Sequence, residues 1–259
     1  GIKVGNGGKL RAEAANFPLE VLFLRDDDIP QYVADGVADI GIAGENVIIE
    51  NAFDLPIAEK LGFAKCRLSL AVKREENYSG LSWLEGKKIA TSYPAVLQSF
   101  LSEKGVAAGI EEISGSVEIA PSIGLAEAVC DIVSTGSTLL ANGLKEVETI
   151  MVSEAVLVSN PDLPDTKQAL LEKLLFRIRA VDNASRNKYI LLNAPNNAIE
   201  EISRILPGVK SPTLLPLATE GWSSLHSVVR EDDFWDVIDR LKSAGAEGIL
   251  VCPIEKMVM

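Results

Sequence analysis

Histidine and cysteine are scarce in this sequence. His226 is the only histidine among 259 residues, and Cys66, Cys130 and Cys252 lie far apart without forming a CxxC pair. We therefore expect no zinc site and no histidine-based catalytic triad. The cysteines, which are set among apolar residues, are expected to be reduced thiols in the core. This usage is typical of a cytoplasmic protein.

Basic residues are also scarce, with 25 Lys and Arg against 37 Asp and Glu and a net charge of −12. Nucleic acid is excluded as a partner, because duplex binding needs a basic face. No apolar run approaches the about 18 residues of a membrane span, so we expect no membrane contact. The chain shows no signal peptide. Since it opens on Gly1 and not on Met, we expect an N-terminal piece of the natural protein to be missing.

Short apolar runs alternate with helical patterns up to about residue 185. We predict strands at LEVLFLR (19–25), ADIGIAG (38–44), RLSLAVK (67–73), KKIATSY (87–93), VEIA (117–120), DIVST (131–135) and EAVLVSN (154–160). We predict helices at IPQYVADGV (29–37), PAVLQSFLSEKG (94–105) and SIGLAEAV (122–129). Several strands are apolar on both faces, which is typical of parallel strands covered by helices. The pattern predicts an α/β fold.

An internal repeat suggests two lobes. VADGVADIGIAGENV (33–47) aligns without a gap with LAEAVCDIVSTGSTL (125–139), and the identical pairs are Ala34/Ala126, Val37/Val129, Asp39/Asp131, Ile40/Ile132 and Gly44/Gly136. The alternative is that two ordinary turns look alike. We predict a core like that of periplasmic binding proteins, with lobe I at 1–65 and 149–187 and lobe II at 66–148. Each lobe has a glycine turn at the carboxyl end of a strand, where open α/β sheets bind ligands.

Residues 188–259 follow a different pattern, β-α-β-β-α-β, which is the ferredoxin-like order. Small domains of this kind often regulate an enzyme or pair its subunits. The fold alone does not say which.

The stretch DIVSTGSTLL (131–140) concentrates hydroxyl groups where a strand should end and a helix begin. The strand is expected to end at Val133, and Gly136 allows a sharp turn. The hydroxyls of Ser134, Thr135, Ser137 and Thr138, with the backbone amides, are suited to binding a phosphate. Ahead of them, Glu127 and Asp131 are suited to sugar hydroxyls or a phosphate-bound Mg²⁺. The alternative is an ordinary capped helix.

Segment 118–139 resembles the signature of the ATP phosphoribosyltransferase family. The matching positions are Glu118, Gly124, Ala126, Val129, Asp131, Ile132, Thr135, Gly136, Thr138 and Leu139. Shorter stretches that resemble the same family are RDDDIP (25–30), GENV (44–47), CRLSLA (66–71), ATSYP (90–94) and PIEKM (253–257). The resemblance covers essentially the whole chain. The C-terminal domain resembles that of the family's long form, which carries a regulatory module.

The resemblance implies a glycosyltransferase. N1 of the adenine of ATP attacks C1′ of phosphoribosyl pyrophosphate (PRPP), and pyrophosphate leaves, which is the first step of histidine biosynthesis. The implied partners are ATP, PRPP and Mg²⁺, with no residue assigned to the metal. Feedback inhibition by histidine and assembly into a homo-oligomer, a dimer or a hexamer, are also implied.

The family pattern assigns Asp131 and Glu127 to the ribose as catalytic residues. The implied substrate-binding residues are Ser134, Thr135, Gly136, Ser137 and Thr138 for the 5-phosphate, together with Glu118, Arg25, Asp26, Arg67 and Tyr93. The two arginines are candidates for ATP or pyrophosphate contacts, with surface salt bridges as the alternative. Tyr93 is a candidate for stacking on adenine, with packing as the alternative. Asp28 is expected to be an N-cap and Glu45 to begin a helix in the cleft.

The regulatory domain resembles one that binds histidine, and we assign Thr213, Leu217 and Ala218 to that site. His226 is expected to pack on a strand face. Members of the family begin with a strand and a basic, glycine-containing loop. The GNGG stretch (5–8) is predicted to be a plain turn and not a substitute for that loop.

Two other functions stay open on the sequence alone. A two-lobed solute-binding protein would have the same architecture and a cleft without chemistry. A catalytically inactive paralogue would only regulate a partner. The hydroxyl-rich loop and the regulatory-type domain favour the enzyme.

Overall fold

In the computed structural model of the chain, the described residues are 1–5, 10–206 and 208–259. They form two compact units, Gly1–Lys167 and Gln168–Met259. The first unit contains the predicted lobe II together with most of lobe I, and the boundaries between those lobes stay a prediction. The turn predicted at GNGG lies, apart from Gly5, outside the described residues.

The first unit opens with a short antiparallel hairpin, β1 (Arg11–Glu13) and β2 (Glu20–Leu22). Next come α1 (Ile29–Ala34), β3 (Ile40–Gly44), α2 (Glu45–Glu50) and β4 (Ile57–Lys60). Strands β3 and β4 flank β10 (Ala155–Ser159), and both are antiparallel to it. One cluster of buried apolar residues packs this sheet against its helices and comprises Val33, Ala43, Ile48, Leu55, Val156 and Val158.

The second sheet contains β5 (Cys66–Lys73), β6 (Lys88–Thr91), β7 (Gly109–Glu112), β8 (Ala128–Val133) and β9 (Leu144–Ser153), in the order β7-β6-β8-β5-β9. Helix α3 (Pro94–Lys104) follows β6, and α4 (Ser137–Ala141) follows β8. Apolar clusters cover both faces of the sheet. Strand β6 is parallel to β7 and β8, whereas β5 is antiparallel to β8 and β9. The prediction of parallel strands is therefore correct only for β7, β6 and β8.

Two predicted elements of this unit were wrong. VEIA (117–120) is not a strand, because Val117–Ile119 forms a 3₁₀ helix. Val117 and Ala120 are both buried, the spacing at which side chains eclipse in that helix. SIGLAEAV (122–129) is not a helix, since turns lead directly into β8. Gly124 has a φ of +77°, a left-handed conformation that a helix interior does not allow.

Helix α5 (Asp165–Ser185) leads into the second unit, whose strands are β11 (Asn187–Pro195), β12 (Thr213–Pro216), β13 (Trp222–Arg230) and β14 (Glu247–Pro253). The antiparallel sheet has the order β12-β13-β11-β14. Helices α6 (Ile199–Ile205) and α7 (Phe234–Ser243) share one core with it. The predicted ferredoxin-like order is confirmed. Of the helices described, none is long and apolar enough to cross a membrane.

All three cysteines are free, but their burial differs. Cys130 on β8 is buried, and burial raises the pKa of its thiol to about 12. Cys66 is only half-buried and Cys252 is exposed. The prediction of core thiols is therefore correct for Cys130 alone.

Candidate active site

The hydroxyl-rich loop follows the end of β8. Val133 ends the strand, Ser134 and Thr135 are exposed, and α4 begins at Ser137. Gly136 between them has a φ of +80°, which favours glycine. The Thr135 Oγ1 and Ser137 Oγ atoms are 3.0 Å apart, and both face solvent. The first amides of a helix have no partner within it, so this loop presents donors as well as hydroxyls. A phosphate is the ligand that such a loop binds best.

The Arg67 guanidinium is held by hydrogen bonds at the same edge of the sheet. Its Nε and Nη2 atoms each donate to the Glu146 carboxylate at 2.5 Å, and its Nη1 donates to the Ser134 carbonyl at 3.3 Å. The Arg67 hydrogen bond lowers the pKa of Glu146. Arg67 therefore holds the hydroxyl-rich loop through the carbonyl of Ser134. The sequence did not indicate this supporting role. Glu146 was missed because the contact depends on the pairing of β5 with β9, in which Glu146 lies opposite Ala71 and the long Arg67 side chain extends to it.

Asp131 lies near the end of β8, just before the loop. Its Oδ1 accepts a hydrogen bond from the Ile132 amide at 2.7 Å. Burial raises the pKa of Asp131 and the negative charge of Glu118 raises it further, whereas the Ile132 amide acts in the opposite direction. Glu118, in the 3₁₀ helix, is therefore close enough to Asp131 for their like charges to interact. A cation, or hydrogen bonds from sugar hydroxyls, would reduce the repulsion between these two carboxylates.

Tyr93 follows β6, whose carboxyl end lies beside that of β8 because the two strands are parallel. Its phenol oxygen accepts a hydrogen bond from Asn46 Nδ2 at 3.1 Å. Burial raises the pKa of Tyr93 to about 12, and the charges of Asp131, Asp27 and Asp26 raise it as well. The structure thus brings Tyr93 and Asp131 together, with Asp26 within electrostatic range. Tyr93 also packs against the core of the second sheet, so stacking on adenine stays a prediction.

Glu127, the other residue predicted to act at the ribose, does not lie with these residues. Its carboxylate accepts a hydrogen bond from the Lys88 amide at 2.8 Å, at the start of β6 and β8. The extended chain from Glu127 to Ser134 spans roughly 20 Å at about 3.3 Å per residue. Glu127 is therefore at the opposite edge of the sheet from the hydroxyl-rich loop, where its carboxylate binds backbone.

Three further predicted residues lie in the first part of the chain. The Arg25 side chain is 83% exposed, and its nearest described carboxylate is that of Asp27 at 3.9 Å. Asp28 occupies the N-cap position of α1 without a side-chain hydrogen bond to that helix. Glu45 begins α2 as predicted, but its carboxylate binds Lys60 at 2.9 Å. Of these three, Glu45 has its charge paired at short range, whereas the Arg25 and Asp28 side chains are exposed.

In the second unit, Thr213 on β12 is exposed and pairs with His226 on β13. His226 Nδ1 lies 2.7 Å from the phenol oxygen of Tyr189, and His226 Nε2 lies 3.2 Å from Ser224 Oγ. The histidine is therefore on a strand face, as predicted, inside a polar cluster that the sequence did not indicate. Leu217 is half-buried and Ala218 is exposed just beyond β12.

Comparisons with known proteins identify the family. Residues 25–180 match the family described as ATP phosphoribosyltransferase, and residues 184–256 match the family described as HisG, C-terminal domain. The ATP phosphoribosyltransferase of Cytophaga hutchinsonii is 60% identical over 252 residues, which are 97% of this chain and 88% of that protein. The one from Parabacteroides distasonis is 57% identical over 260 residues, covering 100% and 92%.

A solved structure, the ATP phosphoribosyl transferase (HisG:HisZ) complex from Thermotoga maritima, is also similar. It superposes with a TM-score of 0.60 at 29% identity. The match covers 69% of this chain and 86% of that chain. Sequence and fold therefore point to the same family.

Proposed function

The chain belongs to the ATP phosphoribosyltransferase family, and we propose that its two substrates bind along the sheet edge at the ends of β6 and β8. Its reaction joins N1 of the adenine of ATP to C1′ of PRPP with release of pyrophosphate, the first step of histidine biosynthesis. The observation that carries the proposed site is the meeting of the hydroxyl-rich loop, Asp131 and Tyr93 at one edge. A solute-binding protein would not need this combination of hydroxyls, carboxylate and tyrosine at the positions that the family's pattern has.

The hydroxyl-rich loop binds the 5-phosphate of PRPP. Its exposed hydroxyls and the amides at the start of α4 can donate to several phosphate oxygens at once. Gly136 lets the backbone approach the phosphate, and Arg67 fixes the carbonyl of Ser134 from the protein side. The phosphate is therefore bound mainly by neutral donors. A protein with a net charge of −12 can use such a site, because it needs no basic surface.

Asp131 binds the ribose hydroxyls beside the phosphate and stabilises the positive charge that develops at C1′. No strong base is needed, because adenine N1 already carries a lone pair. Catalysis consists mostly of holding two polyanions in line for the displacement. Tyr93 lies on the neighbouring strand end, where it is placed to contact the adenine of ATP.

The residues present fit a Mg²⁺ ion that arrives with the substrate. In the described part of the chain, no group of three or more His, Cys, Asp or Glu side chains would hold a metal alone. Mg²⁺ commonly takes one or two carboxylates together with substrate phosphates, and Asp131 with Glu118 offers two. When bound, the ion neutralises the charge of the departing pyrophosphate.

The second unit is the regulatory domain, and we assign histidine binding to the outer strand β12 and the turn after it. The Thr213 hydroxyl would form a hydrogen bond with the bound histidine, and Leu217 and Ala218 would line the site. The C-terminal family match supports this role. Histidine is expected to inhibit turnover at millimolar concentration and to favour a hexamer over a dimer.

The substitution Thr213→Arg tests the regulatory site. Pyrophosphate release by the unmodified protein should require both ATP and PRPP and fall when histidine is added. In the variant, turnover should persist, but the histidine concentration for half-inhibition should rise at least about tenfold, because a bulky cation would fill the site. The matched control is Thr166→Arg on the exposed face of α5. A Thr213→Arg protein with full histidine sensitivity would show that the assignment is wrong.

A further inference from the structure

Helix α3 has no capping side chain of its own. Tyr93 occupies its N-cap position without a side-chain hydrogen bond, and Pro94 at its first position has no N–H. The next two amides are instead bound from α2. The Glu50 carboxylate accepts hydrogen bonds from the Ala95 amide at 2.8 Å and from the Val96 amide at 3.0 Å. A carboxylate at this end of a helix is favoured by the exposed amides and by the helix dipole.

Asn46, four residues before Glu50, binds the same region from the same face of α2. Its Nδ2 donates to the Tyr93 phenol oxygen at 3.1 Å. Its backbone amide donates to Ser153 Oγ at 3.0 Å, and that hydroxyl donates back to Asn46 Oδ1 at 2.8 Å. Asn46 is only 6% exposed and Ser153 only 1%. Because Ser153 ends β9, α2 is attached to the second sheet at two separate points.

Both attachments converge on Tyr93. Glu50 fixes the backbone just after it, Asn46 fixes its phenol, and its ring lies within the electrostatic range of Asp131. We propose that Asn46 and Glu50 are positioning residues, which hold Tyr93 against the substrate by fastening α2 to the start of α3. This inference rests on the proposed function, since it needs Tyr93 to contact the adenine of ATP.

The proposal predicts an effect on one substrate. In Glu50→Ala, the KM for ATP should rise about tenfold, the size expected from losing one helix cap. The kcat should change less than about twofold, because Glu50 touches no reacting atom. The KM for PRPP should stay within about twofold, since β8 and α4, which carry the hydroxyl-rich loop, make none of these contacts. Glu50→Gln keeps one acceptor oxygen and should show a smaller rise.

The matched control is Glu103→Ala, which removes an exposed carboxylate from the other end of α3. In a double-mutant cycle, Glu50→Ala and Tyr93→Phe should raise the KM for ATP by less together than the product of their separate effects, because both act through Tyr93. If Glu50→Ala fails to fold, Glu50→Gln and Asn46→Ser carry the same test.

An unchanged KM for ATP in Glu50→Ala would overturn the proposal. So would equal rises in both KM values together with a lower Tm, which would mean a general structural role. Failure of the proposed function gives a different result. In that case Asp131→Asn would keep normal turnover, whatever the Glu50 variants do.

Discussion

Asp131→Asn is expected to lower kcat/KM about a thousandfold while making the folded protein more stable at neutral pH. The loss follows from removing the carboxylate that lies just before the hydroxyl-rich loop and within electrostatic range of Tyr93, where positive charge develops during the proposed reaction. Asparagine keeps the shape of the side chain and can still accept the hydrogen bond from the Ile132 amide. The catalytic loss would therefore report the charge and not a disturbed strand.

The gain in stability follows from the sign of the pKa shift. Burial and Glu118 raise the pKa of Asp131 in the folded protein. Between the unfolded value, about 3.9, and this raised value, the folded state binds more protons than the unfolded state. The free energy of unfolding therefore falls as pH rises through that window, and this cost of ionising Asp131 persists at neutral pH. Asparagine removes this cost, so its higher Tm should converge with that of the unmodified protein in acid.

Steady-state kinetics and thermal denaturation at several pH values measure both effects. The control is Glu127→Gln, which changes the other carboxylate that the sequence assigned to the ribose. Because Glu127 binds the Lys88 amide at the far edge of the sheet, its variant should keep kcat/KM within about twofold. A large loss in Glu127→Gln with a small one in Asp131→Asn would reverse the assignment.

Arg67→Met should raise the KM for PRPP between about tenfold and a hundredfold, which is the second largest effect we expect. Methionine retains much of the aliphatic stem and removes the guanidinium that holds the Ser134 carbonyl. Without this hydrogen bond the hydroxyl-rich loop would be less ordered. Ordering it on binding would weaken its affinity for the phosphate. Initial rates with varied PRPP and saturating ATP measure the change.

A second variant separates support of the loop from direct contact with pyrophosphate, the role that the sequence suggested for Arg67. Glu146→Gln breaks the charged pair that orients the guanidinium. If Arg67 acts through the loop, this variant should also raise the KM for PRPP, by a smaller factor. If Arg67 instead binds substrate, freeing it should leave the KM unchanged or lower it. The matched control is Glu148→Gln, whose carboxylate binds Tyr78.

The parts of the site that depend on adjacent residues could be predicted from the sequence. The strand end at Val133, the turn at Gly136 and the hydroxyls beside it follow from local spacing. Glu127 shows the limit of such spacing. It stands only four residues before Asp131, yet the extended strand between them carries it to the other end of the sheet.

Contacts between distant segments could not be predicted. Glu146 meets Arg67 only through the pairing of β5 with β9 and the length of the arginine side chain, and Glu50 meets α3 only through tertiary packing. The mixed direction of the second sheet has the same origin. An apolar strand buried on both faces has the same sequence pattern whether its neighbour is parallel or antiparallel.

The central claim is that the hydroxyl-rich loop binds the phosphate of PRPP, and calorimetric titration of PRPP into Gly136→Val tests it most directly. A Cβ at Gly136 would meet Val133 only at 3.8 Å, but a β-branched residue is strained at a φ of +80°. The matched control, Gly105→Val, places the same strain at a φ of +66° after α3. We expect Gly136→Val to weaken PRPP binding at least about tenfold while the control binds normally. Unchanged PRPP affinity in Gly136→Val would contradict the account.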